Sequence, residues 1–139
     1  MDKKALIQAA FEARQYSYSP YSGFAVGAAI LCENGQIITG CNIESASYTP
    51  TICAERTAFS KAVSTGITKF IAIAIVGGKV ENRIGEVDFC APCGVCRQVM
   101  MEFCDPKTFQ VILAKDTQTH EEFTLDALLP RGFGPLNLV

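Results

Sequence analysis

Apolar positions recur through Lys3 to Tyr16 at Leu6, Ile7, Ala10 and Phe11, and Arg14 completes the spacing, so this stretch predicts an amphipathic helix. Phe24 to Cys32 and Gln36 to Gly40 flank Glu33-Asn34-Gly35. Asn-Gly tolerates positive φ, and the three segments read as an antiparallel hairpin. Helix formers fill the chain from Cys53 to Val63, with a stop at Gly66. Lys69 to Val76 is continuously apolar, as suits a strand at a sheet centre covered by helices on both faces. Pro92 favours the start of a helix that Val95 to Phe103 sustain, and Phe109 to Ala114 is again a strand. Strand, helix and strand in that order predict a parallel, right-handed crossover. Thr119 to Phe123 is expected as an edge strand, and Thr124 as the cap of a short helix through Leu129.

Two connections remain. Tyr16, Tyr18 and Tyr21 surround Pro20 and are expected to pack against the sheet. Gly77-Gly78-Lys79 lacks the rest of a phosphate-loop pattern and reads as a turn. It opens a segment to Phe89 whose Glu81, Arg83, Glu86 and Asp88 look solvated.

Composition narrows the class of protein. A chain of 139 residues that is 49% apolar and 19% charged predicts a single globular domain over residues 1–139. The apolar excess favours an oligomer. A net charge of −2 offers no basic footprint for nucleic acid, so a nucleoside-sized substrate is favoured over a polynucleotide. Seven cysteines are an odd number and the residues after Met1 lack a signal core, which together predict the reducing cytosol. No apolar run approaches the roughly 20 residues of a membrane span.

The chemistry lies in Cys53-Ala54-Glu55-Arg56 and Pro92-Cys93-Gly94-Val95-Cys96-Arg97-Gln98. Three thiolates suit a catalytic Zn²⁺, which takes sulfur in tetrahedral geometry and keeps a fourth position open for water. Cys93 and Cys96 lie three apart, so in the first turn of a helix their sulfurs share a face. Both ligand groups are expected at helix N-termini, where free N–H groups and the helix dipole favour thiolates. Three thiolates on one Zn²⁺ leave an excess negative charge that makes the water less acidic. Arg56 and Arg97 are placed to offset it. Glu55 is the general acid and base.

Rival readings differ in their fourth ligand. Cys90-x-x-Cys93-x-x-Cys96 suggests an iron–sulfur cluster, but the bacterial run wants another cysteine after three intervening residues and a proline after the last. Met100 and Cys104-Asp105 stand there instead. A closed structural zinc would need Cys90 or His120, and His120, the one histidine, reads as a surface residue. It also has no sequence feature that places it beside a nucleophile. Cys32, Cys41, Cys90 and Cys104 are read as small hydrophobes or free thiols.

A Cys with a nearby Glu followed by Pro-Cys-x-x-Cys is the signature of zinc nucleobase deaminases. Cys53 to Ala58 with Pro92 to Gln98 closely resembles the small, homotetrameric type of cytidine deaminase. The similarity extends to Pro20-Tyr21-Ser22, Phe24 to Ala29, Gly40 to Glu44, Leu128-Leu129-Pro130 and Phe133-Gly134-Pro135. It implies an α/β fold of three layers, α/β/α, around a mixed five-stranded sheet. It further implies one Zn²⁺ per chain, a homotetramer with sites near subunit interfaces, and a cytoplasmic enzyme of pyrimidine salvage acting on cytidine and 2′-deoxycytidine. Residue by residue it implies that Asn42 and Glu44 hold the ribose hydroxyls and that Phe24 lines the pocket against the base. The backbone around Ala54 and Cys93 would orient the base, Phe133 would close over it from a neighbouring subunit, and Tyr48 would lie near subunit contacts. Blasticidin-type deaminases share the zinc core, but Arg56 directly after Glu55 fits cytidine deaminases better.

Overall fold

The computed structural model describes residues 1–139. The chain runs α1 (Lys3–Arg14), β1 (Phe24–Cys32), β2 (Ile37–Cys41), α2 (Ala54–Ser64), β3 (Phe70–Lys79), α3 (Gly94–Phe103), β4 (Gln110–Ala114), β5 (His120–Thr124) and α4 (Leu125–Leu128), with a final 3-10 turn at Pro135–Leu138. The five strands form one sheet in the order β2-β1-β3-β4-β5. β3 and β4 are parallel, joined through α3, and all other neighbours are antiparallel. This is the mixed sheet expected from the sequence.

Strand periodicity divides the core in two. Ala29, Ala72, Ala74, Val76, Ile112 and Ala114 face α1, which buries Leu6, Ile7, Ala10 and Phe11 on them. Ala28, Ile30, Ile73, Ile75, Val111 and Leu113 face Ala58 and Phe59 of α2, Cys96 and Met100 of α3, and Leu125 of α4. The sheet is thus sandwiched between α1 on one side and the remaining helices on the other.

Helix–sheet spacing is set by two glycines on adjacent strands. A Cβ on Gly27 would lie 2.0 Å from the Ala10 carbonyl oxygen, and one on Gly40 would lie 2.6 Å from both the Ala54 oxygen and the Ala58 nitrogen. Neither strand could carry a side chain there without lifting its helix.

Four expectations need correction. The first helix ends at Arg14, with Gln15 as its C-cap. Gly77, Gly78 and Lys79 do not turn; they extend β3 and pair with Val26, Ala25 and Phe24. Their glycines answer to crowding, since Cβ atoms at 77 and 78 would meet the Cys90 sulfur at 2.8 Å and the Val87 side chain at 2.6 Å. The connecting segment therefore begins at Val80. Tyr16, Tyr18 and Tyr21 are exposed instead of packed on the sheet, whose two faces are already filled by α1 and α2. His120 is half-buried opposite Ala114 on the edge strand, and its Nδ1 is buried without a partner, so it is not a simple surface residue.

Candidate active site

Cys53 and Cys93 are the N-caps of α2 and α3, both with extended backbone. Their carbonyls accept the first helical bonds, from Thr57 N–H and Arg97 N–H, each at 3.0 Å. Neither sulfur caps its own helix, which leaves both free to turn toward a common point. Cys96 lies three residues into α3 and is fully buried. Cys93 thus stands one place before the first turn in which the spacing put it, and the pairing with Cys96 survives.

The Sγ atoms of Cys53, Cys93 and Cys96 lie within 4.8 Å of one another, with Cys53 and Cys93 3.7 Å apart. Tetrahedral Zn–S bonds of about 2.3 Å place sulfurs about 3.8 Å apart, so the trio fits zinc with small adjustment. Cys90 is outside this cluster and His120 lies on the far edge strand, so neither provides a fourth closing ligand. Cys90 instead packs on Gly77, and burial pushes its thiol up to about 11. All seven cysteines are free thiols.

Charge around the trio is uneven. Hydrogen bonding from Cys96 brings the Cys53 thiol down to about 5, against the opposing effect of burial and with help from Arg56 and Cys93. Cys96 is raised in turn, because its proton serves the Cys53 thiolate. Arg56 Nη2 donates to the Cys53 sulfur at 3.5 Å, while its Nε is buried without an acceptor. Arg97 does not serve the sulfurs as expected. Its Nε donates to the Pro92 carbonyl at 2.8 Å and its Nη1 to the Leu128 carbonyl at 2.5 Å, because its position on α3 turns it toward α4.

Glu55 occupies the first turn of α2 and is only 4% exposed. Burial raises its carboxyl to about 7, the Cys53 charge adding to that effect, while its own backbone N–H pulls the other way. A carboxyl poised there can both take and give a proton near neutral pH. Ala54 is fully buried, and as the first residue of α2 its N–H has no intrahelical partner.

The loop before α2 is tied to the end of β2. Ile43 and Ile52 exchange backbone hydrogen bonds at 3.0 and 2.9 Å, which brings Asn42 and Glu44 beside the approach to Cys53. Asn42 is 9% exposed, and its Oδ1 accepts from Val26 N–H at 2.9 Å and from the Ser17 hydroxyl at 2.5 Å. Its Nδ2 donates to the Phe24 carbonyl at 2.8 Å, leaving one N–H free. Glu44 accepts from the N–H groups of Tyr21 and Ser22 at 3.0 and 3.1 Å and from the Ser22 hydroxyl at 2.5 Å. The hydroxyl bond is the main cause of its lowered pKa, and the carboxylate keeps lone pairs for further donors. Glu44 lines a surface cleft with Tyr21, Ser22, Ser45, Tyr48 and Thr51.

The aromatic candidates are open to solvent. Phe24 begins β1 and is 40% exposed. Tyr48 has φ 62°, is exposed, and meets Tyr21 edge-on with ring centroids 6.4 Å apart. Phe133 is 58% exposed, and its carbonyl accepts from Gln98 Nε2 of α3 at 2.8 Å. Sequence reasoning missed Arg14, which lies under the Phe24 end of β1 and is described below.

Residues 1–112 match the model of the cytidine and deoxycytidylate deaminase zinc-binding region. The cytidine deaminase of Sporosarcina psychrophila is 46% identical over 99% of this chain and 96% of its own. That of Halalkalibacterium halodurans is 45% identical over 96% of this chain and 95% of its own. The crystal structure of cytidine deaminase from Burkholderia pseudomallei superposes with a TM-score of 0.83 at 43% identity, covering 96% of this chain and all of that one. A trio of cysteine sulfurs beside a buried glutamate, in a chain similar to these proteins along nearly its whole length, places this chain in the cytidine and deoxycytidylate deaminase family.

Proposed function

We propose that this protein hydrolyses cytidine and 2′-deoxycytidine to uridine and 2′-deoxyuridine, releasing ammonia, as a single domain with one zinc per chain. The observation that carries the reading is the meeting of three sulfurs with the buried Glu55 carboxyl at one pair of helix N-termini.

Cys53, Cys93 and Cys96 would hold the zinc ion, which would supply the Lewis acidity that makes a water nucleophilic near neutral pH. Glu55 receives a proton from the attacking water and delivers it to N3 of the pyrimidine, which makes C4 electrophilic. The water oxygen adds at C4, and Glu55 then takes the second proton from that oxygen and passes it to the amino group. Ammonia leaves and the carbonyl of uridine forms. Arg56 holds the Cys53 sulfur and offsets the negative charge of the ligand set.

The remaining Asn42 N–H and the lone pairs of Glu44 suit ribose hydroxyls, and Phe24 offers a stacking face for the base. The Ala54 N–H and the backbone at Cys93 orient it. In a homotetramer Phe133 closes over the base from a neighbouring subunit and Tyr48 lies near subunit contacts, roles supported by the exposure of both side chains in the single chain. No helix is long and apolar enough to cross a membrane, which is compatible with a cytoplasmic enzyme of pyrimidine salvage.

The ultraviolet spectrum of cytidine, followed with purified protein, tests this directly. Conversion to uridine that a zinc chelator abolishes is the expected result. Zinc-loaded protein that leaves cytidine and deoxycytidine unchanged would overturn it.

A further inference from the structure

Arg14 is 9% exposed and has no carboxylate partner; all of its hydrogen bonds go to backbone carbonyls. Nε donates to Ala25 at 2.8 Å and Nη1 to Asn82 at 2.7 Å. Nη2 donates to Gly78 at 3.0 Å and to Lys79 at 2.7 Å. A buried cation without a counter-charge is costly unless its donors are satisfied, and here four backbone carbonyls satisfy them. What the guanidinium provides is a planar fork that holds four oxygens in fixed relation.

Those oxygens belong to a weak end of the sheet. β1 pairs there with two successive glycines, Ala25 opposite Gly78 and Val26 opposite Gly77, so β3 offers no side chain to stiffen the ladder. The same peptide groups carry the substrate side. Asn42 grips Phe24 C=O and Val26 N–H, while Arg14 grips Ala25 C=O between them, from the α1 side. Val87 and Cys90, which lean on Gly78 and Gly77, belong to the segment that leads to Cys93.

We infer that Arg14 is a positioning residue for the nucleoside pocket, fixing through the Phe24–Val26 backbone the places of Phe24 and Asn42. The inference rests on the reading of those two residues as substrate contacts. Loss of the clamp weakens binding of nucleoside in ground and transition states alike, so it raises KM and spares kcat.

Arg14→Lys keeps the charge and one donor nitrogen, Arg14→Met removes both, and Ile112→Ala opens a cavity in β4 on the same face as a control for stability alone. Each is assayed well below its melting temperature. For the Arg14 variants, KM for cytidine and the calorimetric Kd for uridine should rise together by about 10-fold, with kcat within about 3-fold of wild type and one zinc retained per chain. Ile112→Ala should keep the wild-type KM. Arg14 variants with unchanged KM and uridine Kd, or with a KM shift that Ile112→Ala shares, would overturn the inference. Hydrogen exchange at Val26 separates this from a failure of the functional reading. Unchanged protection of that amide in Arg14→Lys removes the clamp whatever the enzyme's substrate; a wild-type protein that ignores cytidine while Arg14→Lys exposes Val26 removes the functional reading and leaves the clamp.

Discussion

The Arg56 guanidinium donates to the Cys53 sulfur at 3.5 Å, which puts a fixed positive charge against a thiol brought well below its ordinary value. Charge-assisted bonds to a ligating sulfur lower its electron donation, and removing such a partner costs about 10- to 100-fold in affinity or rate. Arg56→Gln should therefore slow turnover by that order. The ligand set becomes more negative, the water less acidic, and the acidic limb of the pH–rate profile should move upward. Unchanged rate and profile would show that Arg56 does not tune the centre.

Glu55→Gln keeps the volume and removes the ionisable carboxyl. Zinc content should remain at one per chain while the rate falls by about 10²- to 10⁴-fold. Near-normal turnover would assign the proton transfers elsewhere.

Cys53→Ala removes one of the three sulfurs and should abolish stable zinc binding together with activity. Metal analysis of the purified variant, beside its rate, checks both.

Zinc loading should also release protons. The Cys96 thiol is raised above its ordinary value by its hydrogen bond to Cys53 and by burial. A ligating thiol must be deprotonated, so binding at pH 7 should release at least one proton per zinc. Titration in weak buffer with a pH indicator reads this; no release would place the metal on other groups.

Gly40→Ala should be destabilising although alanine is the better strand residue by about 0.5–1 kcal/mol. The new methyl would meet the Ala54 oxygen and the Ala58 nitrogen at 2.6 Å. Overpacking of this kind costs about 1–3 kcal/mol, and here the lifted helix carries Cys53 and Glu55. Thermal melting and zinc affinity should both fall.

The meeting of Cys53, Cys93 and Cys96 was legible because metal chemistry restricts residue type and spacing, and the strands because alternation reveals a buried face. What escaped depended on distant neighbours. Arg14 looked like the last position of an amphipathic helix, yet its acceptors lie 11 to 68 residues away. Gly77-Gly78 carried the usual mark of a turn, but the demand for glycine came from Cys90 and Val87 lying across the strand. Tyr16, Tyr18 and Tyr21 have apolar bodies and polar tips, so residue type alone could not say on which side of the surface they lie. Arg97 shared a motif with two ligands, and the direction of its side chain was set by α4, which sequence proximity does not reveal.

The two ligand-bearing helices begin 40 residues apart in the chain, with β3 laid down between them. An ion shared by Cys53 and Cys93 therefore acts as a removable cross-link as well as a chemical centre. Closing a loop of that length restricts the unfolded chain by at most about 4 kcal/mol on the chain-entropy model. A zinc ion held there would in this sense also be a fastener: stripping it would loosen the tie between the starts of α2 and α3 together with any chemistry it supports.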